Sequence, residues 1–412
     1  MAVAGTASGR WNAAYPVVRL VVALLLMTIG GSGMYAAIMV LKPAVAEFGT
    51  TRAMGSMPYM LQMLGFGLGG VMMGWISDRI GVMRPALFAG LSLPAGFLLA
   101  SKADGIWELA LLHALLIGGI GASATMAPLV ADISHWFERR RGIAVAVVIS
   151  GSYTAGAIWP PIFQHFFDIY GWRETYFGHA IFCVIAMPLL SMLLYRRPAA
   201  TTDGGGDAFT AGWKRPLGMA PNQLLVILCA AGLGCCVAMA MPQVHITAYV
   251  TDLGYAAQHG ANMLGLMLAF GIVSRLGSGW ISDRIGGLKT LILGSSLQGL
   301  MLLAFMPVDG LVMLYVVSAL FGLSQGGIVP SYTMIIRRYF PPGEAGWRIA
   351  MVLLFTMLGM ALGGWMSGAL YDLTGGYDAA FVNAVAFNLF NLALAYVLLR
   401  RRHIGATAVV PA

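Results

Sequence analysis

Charged residues are scarce in this chain of 412 residues: Asp, Glu, Lys and Arg make up 10% of it, whereas hydrophobic residues make up 59%. Ordinary soluble domains have about 25% charged and about 45–50% apolar residues. This composition excludes a soluble globular protein and indicates a protein that lies in a lipid bilayer. A membrane-spanning helix needs about 20 apolar residues, so the chain has room for roughly a dozen of them.

Cysteine is also rare, with four residues, and each lies within an apolar segment without metal-type spacing. We therefore predict buried thiols and no disulfides. The sequence has no Gly-Lys-Ser phosphate loop, no cluster of His and Cys, and no Gly-x-Ser-x-Gly turn. These absences predict no enzymatic activity, no catalytic residue, no metal and no cofactor. Energy would come from gradients, because nothing here would bind ATP.

Apolar segments separated by charged or turn-rich breaks dominate the chain. Their hydrophobicity is continuous and shows no period-two alternation, which excludes a β-barrel and predicts helices. The fold class is therefore an all-α membrane protein with twelve transmembrane helices. The segments lie near residues 17–41, 53–76, 84–101, 106–134, 143–167, 174–195, 222–250, 259–281, 288–306, 310–336, 347–370 and 379–399.

An octapeptide, Gly-Trp-Ile-Ser-Asp-Arg-Ile-Gly, occurs at residues 74–81 and again at 279–286. Farther on, Asp168, Gly171 and Phe177 correspond to Asp372, Gly375 and Phe381 at one constant offset. Such spacing indicates a duplication. It predicts parallel repeats related by an axis along the membrane normal. We expect a six-helix bundle at 1–195, a cytoplasmic linker at 196–221, and a second six-helix bundle at 222–412.

Basic residues lie mostly on one side of the predicted spans. Of the 24 Lys and Arg, only Lys42, Arg52, Lys102 and Arg173 fall in the loops of the opposite side, and only Arg275 falls inside a span. The positive-inside rule therefore predicts that both termini are cytoplasmic. We expect the protein in a bacterial inner membrane. The net charge of +8 reflects this orientation and does not indicate nucleic-acid binding.

The arrangement of six plus six helices, with Gly-x-x-x-Asp-Arg-x-Gly after segments two and eight, resembles the major facilitator superfamily. The stretch from Trp136 to Ala146, which reads Trp-Phe-Glu-Arg-Arg-Arg-Gly-Ile-Ala-Val-Ala, resembles the signature of its monocarboxylate porter branch. That branch includes oxalate/formate exchangers and proton-linked lactate and pyruvate carriers. Tyr35 and Arg275 also occupy matching positions. The resemblance implies a secondary transporter of a small monocarboxylate, working as a monomer by alternating access, with a proton as co-substrate.

Arg275 is the first candidate for substrate binding. It lies inside segment eight, and Asp283 is eight residues later, roughly 12 Å along a helix. An ionised side chain at membrane depth is costly and is usually functional. A guanidinium suits a carboxylate because it donates two parallel hydrogen bonds. The alternative is that Arg275 bonds helix carbonyls or an Asn of segment twelve.

His245 and Asp132 are the candidates for proton coupling. Gly271 and Met39 stand where eukaryotic members of the branch carry an Asp and a basic residue. A proton would therefore use His245, Asp132 or the carboxyl group of the substrate. His245 changes charge readily and follows Pro242 near the outer end of segment seven. An uncharged, hydrogen-bonded His245 is the alternative; His113 and His179 are weaker candidates.

Polar side chains on otherwise apolar helices are further candidates for binding substrate. Thr28, Ser32 and Tyr35 share one helical face of segment one. The analogous residues of the second half are Tyr332 and Gln325 on segment ten, with Asn388 and Asn391 on segment twelve. Each of them could instead join neighbouring helices by hydrogen bonds.

The charged residues of the octapeptides lie at the predicted cytoplasmic boundary. We assign them to a salt-bridge latch between the halves and give them no binding role. Its members are Asp78, Arg79, Arg139, Asp283 and Arg284.

Three other functions remain open from the sequence. Exchange of one carboxylate for another needs no titrating group. An efflux pump for apolar compounds would fit the 27 Met residues, which pack adaptably, although Arg275 would be costly there. A membrane sensor without transport would need a substantial soluble segment, which the linker of about 26 residues and the short tail do not supply.

Overall fold

The protein is all-helical in the part that its computed structural model describes. The backbone is described for residues 4–137, 141–196 and 216–407, and side chains are described there except at 4–14, 78, 134, 141–142, 216, 342–343 and 402–407. Within those ranges there is no strand.

The first half contains nine α-helices and one π-helical stretch. These are α1 (Ala4–Gly30), α2 (Ser32–Met39), α3 (Leu41–Phe48), α4 (Arg52–Gly55), α5 (Met57–Ile80), α6 (Met83–Ala100), α7 (Ile106–Leu112), the π-helical stretch His113–Ala122, α8 (Ala127–Trp136) and α9 (Arg141–Met192).

The second half begins with a short 3-10 turn and continues with seven α-helices. They are the turn Pro216–Gly218, then α10 (Pro221–Asp252), α11 (Ala257–Ile285), α12 (Gly287–Phe305), α13 (Leu311–Gln325), α14 (Ile328–Tyr339), α15 (Pro342–Thr374) and α16 (Asp378–Thr407).

Eleven helical stretches in the described residues are long and apolar enough to cross a membrane. The longest, Ile143–Met192, contains Gly171 with φ 79° and ψ 165°, which no helix contains, so it is two spans. The total is twelve, and the predicted fold class is confirmed. Breaks inside other spans are milder: α1 and α2 join through Gly31.

The two octapeptides end their helices in the same way. Gly81 has φ 82° and Gly286 has φ 84°, a region that favours glycine. Each donates its backbone N–H to a carbonyl four residues back, Ser77 or Ser282, at 2.8 Å. The repeated letters therefore encode a repeated helix C-terminus.

The arginines of the octapeptides also repeat one contact. The Arg79 guanidinium lies 3.7 Å from the ring centroid of Trp75, and that of Arg284 lies 3.4 Å from the ring centroid of Trp280. Both Trp rings are exposed on the helix surface. Each pair is a cation–π contact within one helix turn.

Contacts divide the chain into two compact units. One consists of Met1–Val40 and Leu64–Gly204, and the other of Leu41–Met63 and Gly205–Ala412. The segment Leu41–Met63 thus groups by its contacts with α10 to α16, and the bounds expected from the sequence for the two bundles stay a prediction. This grouping reflects close packing of α4 on α15: a Cβ on Gly368 would lie 2.7 Å from the Arg52 carbonyl oxygen.

Glycines with small-xxx-small spacing bring helix backbones together in both units. In the first, a Cβ on Gly65 or Gly69 would lie 1.9 Å from a carbonyl oxygen of the π-helical stretch. In the second, a Cβ on Gly359 or Gly363 would lie 2.4 Å from a carbonyl oxygen of α10. These contacts are the close helix packing that such spacing predicts in a bilayer.

The adjacent pair Gly69 and Gly70 offers a matched test of this packing. Gly69→Ala should lower the thermal unfolding temperature in detergent, because overpacking against the Gly119 carbonyl costs about 1–3 kcal/mol. Gly70→Ala should leave it unchanged or slightly raised, since nothing lies within 4 Å of its Cβ position. Equal unfolding temperatures for the two variants would refute the close approach.

Candidate functional site

Arg275 lies within the spanning part of α11, about ten residues and roughly 15 Å before its C-terminal end. The residue is half-buried. Its backbone lies against Gly326, just after the end of α13: a Cβ on Gly326 would lie 3.0 Å from the Arg275 nitrogen and 2.4 Å from the Gly271 oxygen. The chain thus places a cation at membrane depth beside a helix break.

A pair of glutamine amides lies at the same break. Gln325 is the last residue of α13, and its Oε1 accepts a hydrogen bond of 2.6 Å from Gln243 Nε2 of α10. Gln325 is 1% exposed and Gln243 is 9% exposed. Among the described residues, Gln325 Nε2 has no hydrogen-bond acceptor.

The other predicted binding residues of the second half join helices to one another. Tyr332 donates to Asn391 Oδ1 at 2.9 Å, and Asn391 Nδ2 donates to Ser295 Oγ at 2.8 Å. Asn388 Nδ2 donates to the Ser295 carbonyl at 2.9 Å. All are buried, and they connect α14, α16 and α12. These contacts match the helix-joining alternative, and a role in substrate binding stays a prediction for Tyr332 and Asn388.

A polar network forms where α4 meets the ends of α10 and α15, and sequence analysis did not find it. Arg52 Nη2 donates to Asp252 Oδ1 at 2.8 Å, and Lys42 Nζ lies 3.0 Å from the same oxygen. Arg52 Nη1 donates to the Tyr377 hydroxyl at 2.6 Å. The Tyr377 hydroxyl in turn lies 3.0 Å from His245 Nδ1. We call this set, Lys42, Arg52, His245, Asp252 and Tyr377, the outer network.

The partners of His245 fix its tautomer. Its Nε2 lies 2.8 Å from the Gly364 carbonyl, which can only accept, so Nε2 carries the hydrogen. Nδ1 of the neutral ring therefore accepts from Tyr377. Burial raises the pKa of Tyr377, so its hydroxyl stays protonated and able to donate. Because both ring nitrogens are occupied, His245 has the hydrogen-bonded character that the sequence left open.

Asp372 anchors the outer network from α15. Its two carboxylate oxygens accept the backbone N–H groups of Arg52 and Ala53, each at 2.8 Å. The Arg52 guanidinium also lies 3.9 Å from the ring centroid of Tyr371. The sequence carried a signal for this cluster: Arg52 is one of few basic residues on the predicted outer side, and Asp372 belongs to the duplicated set.

The polar stripe of segment one contacts α9. The Tyr35 hydroxyl donates to the Ser152 carbonyl at 3.1 Å, and Ser32 Oγ lies 2.8 Å from His179 Nε2. Thr28 Oγ1 lies 3.4 Å from the Gly151 carbonyl of α9, besides its bond to the Leu24 carbonyl within α1. These bonds again match the helix-joining alternative, and substrate binding by Tyr35 stays a prediction.

The two weaker histidine candidates, His113 and His179, are both buried and contact neighbouring side chains. His113 Nε2 lies 3.2 Å from the Tyr176 hydroxyl, which donates to the Ala36 carbonyl at 3.0 Å. His179 is enclosed by the rings of Phe97, Trp159 and Phe163, with centroids 4.7 to 4.9 Å away. Through these contacts both histidines help to pack the neighbouring helices against α2, next to the point where α1 ends.

Asp132, the second candidate for proton coupling, forms a two-pronged ion pair. Arg19 Nε donates to its Oδ2 at 2.6 Å, and Arg19 Nη2 donates to its Oδ1 at 2.8 Å. Arg19 is 1% exposed, and its guanidinium lies 4.8 Å from the Trp136 ring centroid. Asp132 is thus held by a buried cation, and its part in coupling stays a prediction.

The structure describes the side chains of three of the five predicted latch residues. Asp283 and Arg284 are exposed near the end of α11, and Arg79 is exposed near the end of α5. The Asp78 side chain and the whole of Arg139 lie outside the described residues. The latch stays a prediction.

The Arg19–Asp132 pair can be tested through stability. Arg19→Leu alone should cost about 3–5 kcal/mol of unfolding free energy, because it leaves a buried carboxylate without its cation. The double variant Arg19→Leu, Asp132→Leu should recover most of that loss, since no charge stays buried. Thermal unfolding of the two variants in one detergent gives the comparison. A double variant as unstable as the single one would contradict the pairing.

Comparisons with known proteins agree with this architecture. The sequence model of the Major Facilitator Superfamily matches residues 20–312 and 279–411. Monocarboxylate transporter 13 of Rattus norvegicus is 28% identical over 325 residues, which cover 76% of this chain and 72% of the relative. Monocarboxylate transporter 11 of Mus musculus is 25% identical over 324 residues, with coverage of 76% and 72%.

Solved structures show the same fold. A crystal structure of the nucleoside transporter NupG superposes with a TM-score of 0.74, covering 94% of this chain and 99% of that chain at 12% identity. That likeness concerns the fold alone. The chain belongs to the Major Facilitator Superfamily, a family of membrane transporters, and its resemblance to the monocarboxylate transporter branch is confirmed by relatives of that name.

Proposed function

We propose that this protein carries a small monocarboxylate, together with a proton, across a membrane by alternating access. The observation that supports this most is that Arg275, a half-buried residue, lies within the spanning part of α11. A cation at that depth is costly to maintain and is usually functional. A carboxylate is its best complement, because the planar guanidinium donates two parallel hydrogen bonds to it.

The relatives support the substrate class. Two of them are named monocarboxylate transporters, and their similarity extends over three quarters of this chain.

Arg275 lies eleven residues before Gly286, the glycine that ends α11, so it is on the same helix as the second octapeptide. We infer that the octapeptide residues Asp78, Arg79, Asp283 and Arg284, with Arg139, form a latch rather than a binding site.

For the orientation we infer cytoplasmic termini and a bacterial inner membrane. The asymmetry of Lys and Arg supports it. The outer network would then lie at the opposite, external end of the second unit. A single chain contains the two units that alternating access requires, so we propose a functional monomer.

Exchange of one carboxylate for another is the second candidate function. The contacts of both proton-coupling candidates favour it: His245 has a partner on each ring nitrogen, and Asp132 is paired with Arg19. Protonation of His245 would have to break its bond from Tyr377. Exchange needs no such step.

Replacement of Arg275 tests the substrate site. Arg275→Gln should lower initial uptake of labelled lactate into proteoliposomes by about 100-fold, because two charge-assisted hydrogen bonds are lost. Arg275→Lys should retain more lactate uptake than Arg275→Gln, since lysine keeps the positive charge but lacks the two parallel N–H groups of the guanidinium. Arg400→Gln, at the exposed end of α16, serves as the control and should transport like the parent. Undiminished uptake by Arg275→Gln, at equal incorporation, would refute the site.

Replacement of His245 separates symport from exchange. The ring is hydrogen-bonded to Tyr377, and the charged groups that act on it electrostatically are Arg52, Asp252 and Asp372. In His245→Gln the amide still offers a hydrogen-bond donor and an acceptor, as the neutral imidazole does, but it cannot take up a proton. If His245 couples the proton, this variant should lose the stimulation of lactate uptake by an inward proton gradient while keeping lactate/lactate exchange within about threefold.

The control for that experiment is His179→Gln, which replaces a buried histidine of the other unit and should keep the stimulation. Stimulation that persists in His245→Gln would remove His245 from the coupling path. A parent protein that exchanges lactate but ignores the gradient would establish the exchanger instead.

A further inference from the structure

The amide pair of Gln243 and Gln325 carries one unused hydrogen-bond donor. Gln243 Nε2 donates to Gln325 Oε1 at 2.6 Å, which occupies the acceptor of Gln325. The Nε2 of Gln325 is buried and has no acceptor among the described residues. A buried N–H without an acceptor destabilises a protein, so each one requires an explanation.

The position of Gln325 relates this donor to Arg275. Gln325 ends α13, and the next two residues, Gly326 and Gly327, separate it from α14. A Cβ on Gly326 would lie 3.0 Å from the Arg275 nitrogen, and a Cβ on Gly327 would lie 2.2 Å from Ser278 Cβ. The glycines therefore allow the break after Gln325 to press against the turn of α11 that carries Arg275.

An anion can bind to an unpaired hydrogen-bond donor but not to an unpaired acceptor, so the type of the unpaired group matters. Gln325 offers an N–H, which an anionic or neutral oxygen can accept. Other unpaired amide atoms of the same unit, Gln298 Oε1 and Asn388 Oδ1, are acceptors on regular helices and offer nothing to a carboxylate. The donor of Gln325, which is adjacent in sequence to the glycine that lies against the Arg275 backbone, is therefore the one suited to an oxygen-rich substrate.

We propose that Gln325 determines specificity, by donating its Nε2–H to a second oxygen of the substrate whose carboxylate Arg275 binds. This inference rests on the proposed function. The second oxygen would be the 2-hydroxyl or 2-oxo group of a 2-substituted monocarboxylate. Gln243 acts as a positioning residue, because its own N–H occupies the Oε1 of Gln325 and leaves the Nε2–H of Gln325 for the substrate. Such a site rejects an acid that lacks the oxygen, since the N–H then stays unpaired.

The test compares lactate with propionate, which differ by one hydroxyl group. In proteoliposomes, the parent should show a higher kcat/KM for lactate than for propionate. Gln325→Glu keeps an oxygen to accept from Gln243 but has no N–H, and Gln325→Leu removes both groups. Each variant should lower the lactate-to-propionate ratio roughly tenfold, the scale of one hydrogen bond. Any charge on Glu affects two monocarboxylates alike, so the ratio isolates the donor.

Gln298→Leu is the matched control, because Gln298 is a buried amide of α12 that donates to the Cys235 carbonyl. It should preserve the ratio. A parent that discriminates while Gln325→Glu discriminates equally well would overturn the role of Gln325 and leave the proposed function intact. A parent that transports neither acid would overturn both. Thermal unfolding of each purified variant identifies those that fold, and Gln325→Glu remains informative if Gln325→Leu does not.

Discussion

The bilayer core offers no water to a buried polar group, and this constraint organises the chain. A polar side chain inside a span must bond within the protein or bind a substrate. Most described cases take the first course. Asn391 bonds to Tyr332 and Ser295, His179 contacts Ser32, and Arg19 grips Asp132 with two hydrogen bonds. These contacts stabilise bundles whose helices otherwise pack through glycine and apolar side chains.

Two features of the second unit have a different character. The outer network connects Lys42, Asp252, Arg52, Tyr377 and His245 in a chain of short contacts where helices end. Within the spanning part of α11, Arg275 lies next to the helix break that follows Gln325 of the Gln243–Gln325 pair. An irregular backbone at membrane depth is tolerated only where it lines a cavity or is buried in protein. The proposed function uses this division, with binding at the break and coupling at the outer end.

The spans and the duplication could be predicted because both depend on local sequence. Long apolar runs specify helices, and the octapeptides specify the same helix end, with Gly81 and Gly286 in the left-handed region. Side-chain partners could not be predicted, because they depend on packing between distant segments. Arg52 contacts Asp372 across 320 residues of sequence, and Tyr332 contacts Asn391 across 59. The sequence therefore identified Tyr332, Asn388 and His245 as polar residues in apolar helices without indicating their partners.

The central claim is that the carboxylate of a substrate rests on the guanidinium of Arg275. The most direct measurement is a solid-state NMR dipolar distance between the labelled guanidinium carbon of arginine and the ¹³C-labelled carboxyl carbon of bound lactate. Comparison with Arg275→Lys assigns the signal. We predict a distance of about 4 Å in the parent, as in two-pronged guanidinium–carboxylate pairs, and its loss in the variant. A bound lactate that shows no such contact, or the same contact in Arg275→Lys, would contradict the account.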